Sequence, residues 1–289
     1  MPIEDKVAIV LINYRDYDSL LRLLADQECI PDASTVVVVD NTEPGRRNYE
    51  AIDVILNIPG VTLLHAENPG YFGGVRWAID RMPSLRGSSS LMVCNTDLRF
   101  SFNDFVAYMR AESAAFHSAK VGVIAPRLVM PDGSPTRQLH LMDAPSARKM
   151  SRLGRIFSNR LTLAMYKRAG DAKRLLRSSG VGSSAELADG QQIFAPHGAL
   201  MIFTSDYLQS PDAFANPSFL FGEEIFVGLH AEDLGLTCIY CASLPYTHEA
   251  HGSMGNWPSR AVSSHLRDSH LWAAAALADR SARGTKRSN

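Results

Sequence analysis

Long apolar runs are missing. No stretch approaches the roughly 18–20 residues that a membrane-spanning helix needs. Net charge is nearly absent, with 29 Lys and Arg against 30 Asp and Glu. That balance removes the globally basic surface expected of a nucleic-acid binder, so no nucleic-acid partner is expected. The opening Met1-Pro2-Ile3-Glu4-Asp5-Lys6 carries neither the basic flank nor the cleavage site of a secretory leader. We therefore expect a cytoplasmic protein. Cysteine is scarce, four residues in all, which suits that compartment as free thiols. Internal repeats and long linkers are also lacking.

One cysteine pair, Cys238-Ile239-Tyr240-Cys241, has the CxxC spacing of metal and redox sites. It lies in 236–244, which reads as a strand, and residues three apart on a strand point to opposite faces. Cys29 and Cys94 form no second pair. Buried, inert thiols are the expected state.

What is present is a chain of 289 residues, 46% hydrophobic and 20% charged, long enough for one large α/β domain. Strand signals at 7–12, 36–39, 61–64, 91–94 and 121–125 alternate with helical spacing at 19–25, 74–82 and 102–116. The valine run 36–39 has the composition of a strand buried on both faces. Later, 194–203 and 237–242 read as strands, 223–234 and 259–277 as helices, and 281–289 as a frayed basic tail. Such alternation predicts an α/β fold with a mostly parallel sheet and flanking helices. Ligands of these sheets sit beyond the carboxyl ends of the strands. Asn13-Tyr14, Asp40-Asn41 and Asn95-Thr96-Asp97 all fall there, so a shared site is expected.

Charge is distributed unevenly. Residues 146–180 hold ten bases and one acid, Asp171, interleaved with apolar residues such as Leu153, Phe157, Leu161 and Met165. This basic segment of net +9 is set in a body of net −10. It has the composition of a basic amphipathic helix, so a solvated helical excursion, an anionic membrane surface and an anionic acceptor all stay open.

Three constellations carry chemistry. Asn68-Pro69-Gly70-Tyr71-Phe72-Gly73-Gly74 opens a helix, where glycines admit close backbone approach and free amides favour phosphate. Asp97 sets a carboxylate at the sheet edge, and a hard divalent cation would accept it together with phosphate oxygens. Glu223 and Glu224 start another helix, and adjacent carboxylates push one pKa upward, which suits a general base. His248, His251 and Ser253 follow in a glycine-containing loop, and His197 is a further acceptor-side or loop candidate.

Taken in order, 7–14, 36–41, 68–79, 91–98, 126–133, 198–202, 219–229 and 248–253 resemble the family-2 glycosyltransferases of the GT-A fold, especially the bacterial rhamnosyltransferase-like branch. Arg267-Asp268-Ser269 resembles that family's late Arg-Asn element. The resemblance spans about residues 6–255, apart from the basic insertion, and we expect a single domain over 1–289, with a nucleotide-sugar half at 1–126 and an acceptor and catalytic half at 127–257. The latter carries the basic insertion 145–180, and 258–289 forms a C-terminal helix and tail. It implies an inverting transfer from a nucleotide-diphosphate sugar, rhamnose or another hexose, to a glycan or lipid-linked acceptor in bacterial surface polysaccharide synthesis. It assigns Asp40 to the base, and Asn13, Asn68, Gly70, Gly73, Gly74, Arg76 and Asn95 to the donor. Asp97 and His248 would hold Mn2+ or Mg2+, and Glu224, with Glu223 beside it, would be the catalytic base. Membrane attachment at the inner face would be peripheral. Phe226 stands where the related pattern has an acid, and a non-catalytic nucleotide- or glycan-binding member of the same fold is the alternative.

Overall fold

The computed structural model describes residues 4–27, 30–32, 34–129, 140–166, 168, 187–248 and 259–287. Its strands are β1 (Glu4–Asn13), β2 (Ser34–Asp40), β3 (Val61–His65), β4 (Ser88–Asn95), β5 (Leu98–Arg99), β6 (Val121–Val129), β7 (Gln192–Ile193), β8 (Leu200–Thr204) and β9 (Thr237–His248). They form one sheet in the order β3-β2-β1-β4-β8-β6-β9-β5, with β7 also on β9. The first four run parallel to their neighbours, whereas β8 lies antiparallel between β4 and β6. The sheet is therefore mixed, with its parallel half at the N-terminal side.

Alternation along the central strands explains why both faces are covered. Val7, Ile9 and Leu11 of β1 and Val36 and Val38 of β2 point into one apolar cluster. Helices α1 (Tyr17–Ala25), α2 (Tyr49–Leu56) and α4 (Phe102–Ser118) close that side. Ala8, Val10 and Ile12, with Val37 and Val39, point the other way, under α3 (Tyr71–Arg81) and part of a later helix, Val227 and Ala231. Period-two side chains with hydrophobics in both phases require helices on both faces.

The expected strands and helices are present, with differences that have physical causes. The short helix α2 was not anticipated. Eight residues give barely two turns of periodicity, although Asn48 caps it by accepting from the Ala51 amide at 3.2 Å. Helix α3 begins at Tyr71 rather than at residue 74, because Gly70, at φ 88°, is the residue that turns the chain. The apolar stretch 194–203 is not one strand. It breaks after β7 into a loop, 194–199, before β8 resumes.

Helix α5 (Ala147–Phe157) opens the basic insertion, and residues 160–166 are helical as well. After α6 (Ser205–Leu208) and α7 (Glu223–Asp233) comes α8 (Arg260–Arg287), so the expected frayed tail continues the helix to Arg287. Met150 of α5, Ile225 and Leu229 of α7, and Ala273 and Leu277 of α8 share an apolar cluster. Gly154 lets α5 approach closely, since a Cβ there would stand 2.9 Å from Leu271 Cδ2. Cys238 and Cys241 enter opposite core clusters and are free and buried. The CxxC therefore makes no chelating pair, and Cys29 lies outside the described residues. No helix among the described residues is long and apolar enough to cross a membrane.

One contact ties α3 to the distant segment before α7. The Tyr71 amide donates to the Phe219 carbonyl at 3.2 Å, and a Cβ on Gly70 would sit 2.0 Å from that oxygen. Gly70→Ala should cost roughly 2–4 kcal/mol of stability, from backbone displacement plus left-handed strain. Gly45→Ala, with nothing within 4 Å of its Cβ position, is the control. Urea denaturation of both variants checks this, and equal stabilities would contradict it.

Candidate active site

The strand ends of β1 and β2 are held by a buried carboxylate. Asp40, fully buried, accepts from Asn13 Nδ2 at 3.1 Å, Tyr17 Oη at 2.8 Å and the Thr42 amide at 3.2 Å. His65 Nδ1 lies 3.3 Å and Arg47 Nε 3.7 Å from the same carboxylate. Both oxygens are thus taken by the chain's own groups. Asp40 has no exposed surface here and locks the strand ends. Asn13, fully buried too, plays the same supporting part.

From this anchor the next residue reaches the glycine loop. Asn41 Nδ2 donates to the Gly70 carbonyl at 3.1 Å, and its Oδ1 is buried without a partner. Gly74 faces that amide, where a Cβ would lie 3.3 Å from Asn41 Nδ2, and a Cβ on Gly73 would press Pro69 at 2.9 Å. Asn68 adopts φ 50° and is partly exposed at the loop's start. No side chain caps α3; its Tyr71 amide goes to the Phe219 carbonyl, which leaves the Phe72 and Gly73 amides for a ligand or water. Arg76, in the second turn, is exposed.

Beyond β4, the Asn95 amide donates to the Ala199 carbonyl at 2.9 Å, joining this strand end to the loop between β7 and β8. Asp97 Oδ2 pairs with His248 Nε2 at 3.0 Å, across the β5–β9 pairing of Leu98 with His248. Asp97 Oδ1 is buried without a partner. A carboxylate oxygen in that state, next to an imidazole, fits a divalent cation whose remaining positions are filled by phosphate oxygens. Among the described residues no group of three or more His, Cys, Asp or Glu could hold a metal. The described residues thus offer two candidate ligands here, Asp97 and His248.

His197 lies between this pair and the helix carboxylates. Its ring centroid is 6.0 Å from that of His248, and the next residue, Gly198, donates its amide to Glu224 Oε1 at 3.2 Å. A Cβ on Gly198 would stand 2.7 Å from that oxygen, so only glycine allows this approach. The Ala199 amide donates to His197 Nδ1 at 3.4 Å, and the His197 amide donates to His140 Nδ1 at 3.0 Å. Burial, reinforced by the neighbouring imidazoles, pushes His197 and His140 down to about 4, so both are neutral at physiological pH. Accepting at Nδ1 places their protons on Nε2.

The carboxylates themselves start α7. Phe221 at φ 69° and Gly222 at φ 81° turn the chain so that both acids fall in the first turn, where the helix dipole favours them. Burial first, then the Glu224 carboxylate, pushes Glu223 up to about 8. Burial also raises Glu224, against the Gly198 amide, which favours its ionised form. The two buried carboxylates thus resist being ionised together, and the pair holds a proton near neutrality. Tyr71, fully enclosed, is raised by burial and then by the acidic groups around it, Cys94, Glu223, Glu224 and Asp97. Its hydroxyl and Glu223 Oε1 are both buried without partners.

Asn95, Asp97, His197, Glu223, Glu224 and His248 are brought together, with the glycine loop joined through Phe219. Arg76 is not drawn in, and His251 and Ser253 lie outside the described residues. Sequence reasoning missed Asn41, Tyr71 and His140 as site residues. The first two sat in motifs already noted, whereas nothing local marked His140. The late Arg267-Asp268-Ser269 element supports the site from behind. Arg267 pairs with Asp268 at 2.7 Å, and Ser269 Cβ packs 3.3 Å from where a Gly222 Cβ would be. Phe226 stacks on His230, centroids 5.4 Å apart, and meets Phe72 and Trp272, so this position is used for packing.

No protein-family model matches the chain, and no curated protein matches it. Among solved structures it is similar to GalNAc-T7 crystallised with UDP, GalNAc and Mn2+, at a TM-score of 0.53 and 11% identity. That match covers 84% of this chain and 43% of the GalNAc-T7 chain, so this chain spans less than half of that protein. S. aureus TarS (residues 1–349) aligns at a TM-score of 0.46 and 11% identity, over 84% of this chain and 60% of that one. The fold is that of the GT-A glycosyltransferases.

The raised Glu223 makes stability depend on pH. Its carboxyl titrates near 4.3 in an unfolded chain and near 8 when folded. The stability it contributes is whole below about pH 4.3 and is lost as pH rises through 8. Glu223→Gln should therefore gain on the wild type between pH 5 and pH 8, by on the order of a few kcal/mol. Urea denaturation across that range checks this, and parallel stability curves would contradict it.

Proposed function

We propose that this GT-A-fold chain is a glycosyltransferase that moves a sugar from a nucleotide-diphosphate donor to a hydroxyl of a glycan or lipid-linked acceptor. The observation that carries this reading is the convergence of Asp97–His248 and Glu224 from separate segments on one loop, 195–199, beyond the strand ends. The GalNAc-T7 structure, with UDP and Mn2+, supports UDP-sugars and Mn2+ as first probes. The resemblance in the ordered motifs extends the proposal to rhamnose or another hexose as the sugar and to bacterial surface polysaccharide as the product.

The chemistry follows from the positions. The Phe72 and Gly73 amides at the start of α3 would face the diphosphate. Asp97 and His248 would hold a divalent cation, which supplies charge stabilisation for the departing nucleoside diphosphate. Glu224, in the ionised form that the Gly198 amide favours, takes the proton of the acceptor hydroxyl as that oxygen attacks the anomeric carbon. A base on the opposite side from the leaving group gives one in-line displacement, hence inversion. Glu223 keeps its proton and holds the charge of the pair at one. His197, neutral and with Nε2–H free to donate, orients a sugar or acceptor hydroxyl between the two carboxylate positions.

Release of nucleoside diphosphate from a panel of UDP- and dTDP-sugars with Mn2+ tests the reading. Glu224→Gln should lower kcat by about 10²–10⁴-fold with little change in donor KM. Full activity in that variant would remove the proposed base. Binding of donor with no release under any acceptor would instead favour the non-catalytic binder.

A further inference from the structure

The insertion helix α5 divides cleanly between two faces. Met150, Gly154 and Phe157 are buried against α8. Arg148, Arg152 and Arg155, with Lys149 alongside, are exposed about half a turn away, as 100° per residue requires. These four bases line an open depression of ≈ 650 Å³ together with Ser146 and Ser151. From Ala144 to Gly170 the chain has no acidic residue to neutralise them.

The helical residues 160–166 follow after a tight turn and add apolar surface. Leu163 and Ala164 are buried, with Leu163 packed on Phe157 and Leu266. Leu161, Met165 and Tyr166 stay exposed at 64%, 69% and 48%. Leu161 and Met165 are four residues apart and so share a face. Large apolar side chains left in water beside exposed bases are costly for a surface that only meets solvent, but they match the boundary of headgroups and acyl chains.

We propose that α5 and residues 160–166 form a docking platform for an anionic lipid bilayer. Arg148, Lys149, Arg152 and Arg155 meet the phosphates of the headgroups, and Leu161, Met165 and Tyr166 enter the interface. Charge complementarity selects this occupant, because each base near an anionic membrane surface contributes about fivefold in affinity. The platform is also continuous with the active site. Phe157 and Leu163 share an apolar cluster with Phe221, which leads directly into Gly222 and Glu223. Docking would hold the catalytic carboxylates at a fixed attitude to a lipid-linked acceptor, a consequence that rests on the proposed transferase reading. The membrane contact itself does not.

Co-sedimentation of the full chain with vesicles tests it. Phosphatidylcholine vesicles containing roughly 30% phosphatidylglycerol should bind the protein at low salt, and phosphatidylcholine alone should not. Raising salt to about 0.5 M should release it. Arg148→Gln/Arg152→Gln/Arg155→Gln should weaken binding about 100-fold, and Leu161→Ser/Met165→Ser several-fold. All these side chains are exposed, so circular dichroism and thermal melting should match the wild type, and nucleoside-diphosphate release should be unchanged without vesicles. Binding that ignores lipid charge, absence of binding to the anionic vesicles, or full affinity in the triple variant would overturn the platform. So would self-association that the triple variant abolishes, which would assign the face to a second copy. Loss of transferase activity in every assay, with vesicle binding intact, would count against the enzyme reading and leave the platform standing.

Discussion

The close approach of Gly70 to the Phe219 carbonyl joins the two halves of the molecule. On one side the Gly70 carbonyl accepts from Asn41 at the end of β2, which follows the Asp40 network that locks β1 and β2. On the other, Phe219 precedes the two left-handed residues that start α7 and aim Glu223 and Glu224. A side chain at position 70 would part these segments, and the glycine loop would lose its register with the carboxylates. The geometry of the site thus depends on one backbone contact that only glycine permits.

A second constraint is electrostatic. Glu223, Glu224 and the enclosed Tyr71 concentrate acidic groups beside Asp97, where burial penalises the charge of all three. Such a site is tolerable only if charge is shed or matched. Glu223 sheds it by keeping a proton. Asp97 is matched in part by His248 and retains a buried, unpartnered oxygen suited to a cation. His197 and His140 stay neutral for the same reason that Glu223 does. One physical cause, desolvation, thus shifts Glu223, His197 and His140 alike toward their neutral forms.

Much of this was legible in the sequence, and for identifiable reasons. The valines of β2 and the polar residues at three strand ends follow from backbone periodicity, which survives without tertiary context. Glu223 and Glu224 were marked by their place at a helix start. The internal partners of Asp40, namely Asn13, Tyr17 and Thr42, were not legible, because an acid at a strand end looks the same whether it faces a ligand or the chain's own groups. The break at 194–199 was hidden because Phe194, Ala195 and Ala199 are as apolar as a strand, and only the antiparallel return of β8 requires a loop there. His140 carried no local signal, since its partner, His197, is far away in the chain. The basic insertion was visible as composition, but its two-faced helix was clear only once α8 supplied the partner for Met150, Gly154 and Phe157.

The central claim is that the Asp97–His248 pair and the glycine loop form one cation-dependent nucleoside-diphosphate site. Thermal melting with UDP and dTDP, each with and without Mn2+ or Mg2+, addresses it directly. A nucleotide at about 100 times its Kd stabilises the native state by about 2.7 kcal/mol, which is several degrees in Tm for a chain of this size. The account predicts a rise with nucleoside diphosphate plus cation, a much smaller one with nucleotide alone, and no cation-dependent part in Asp97→Asn. An identical rise in Asp97→Asn, or none with either nucleotide, would contradict it.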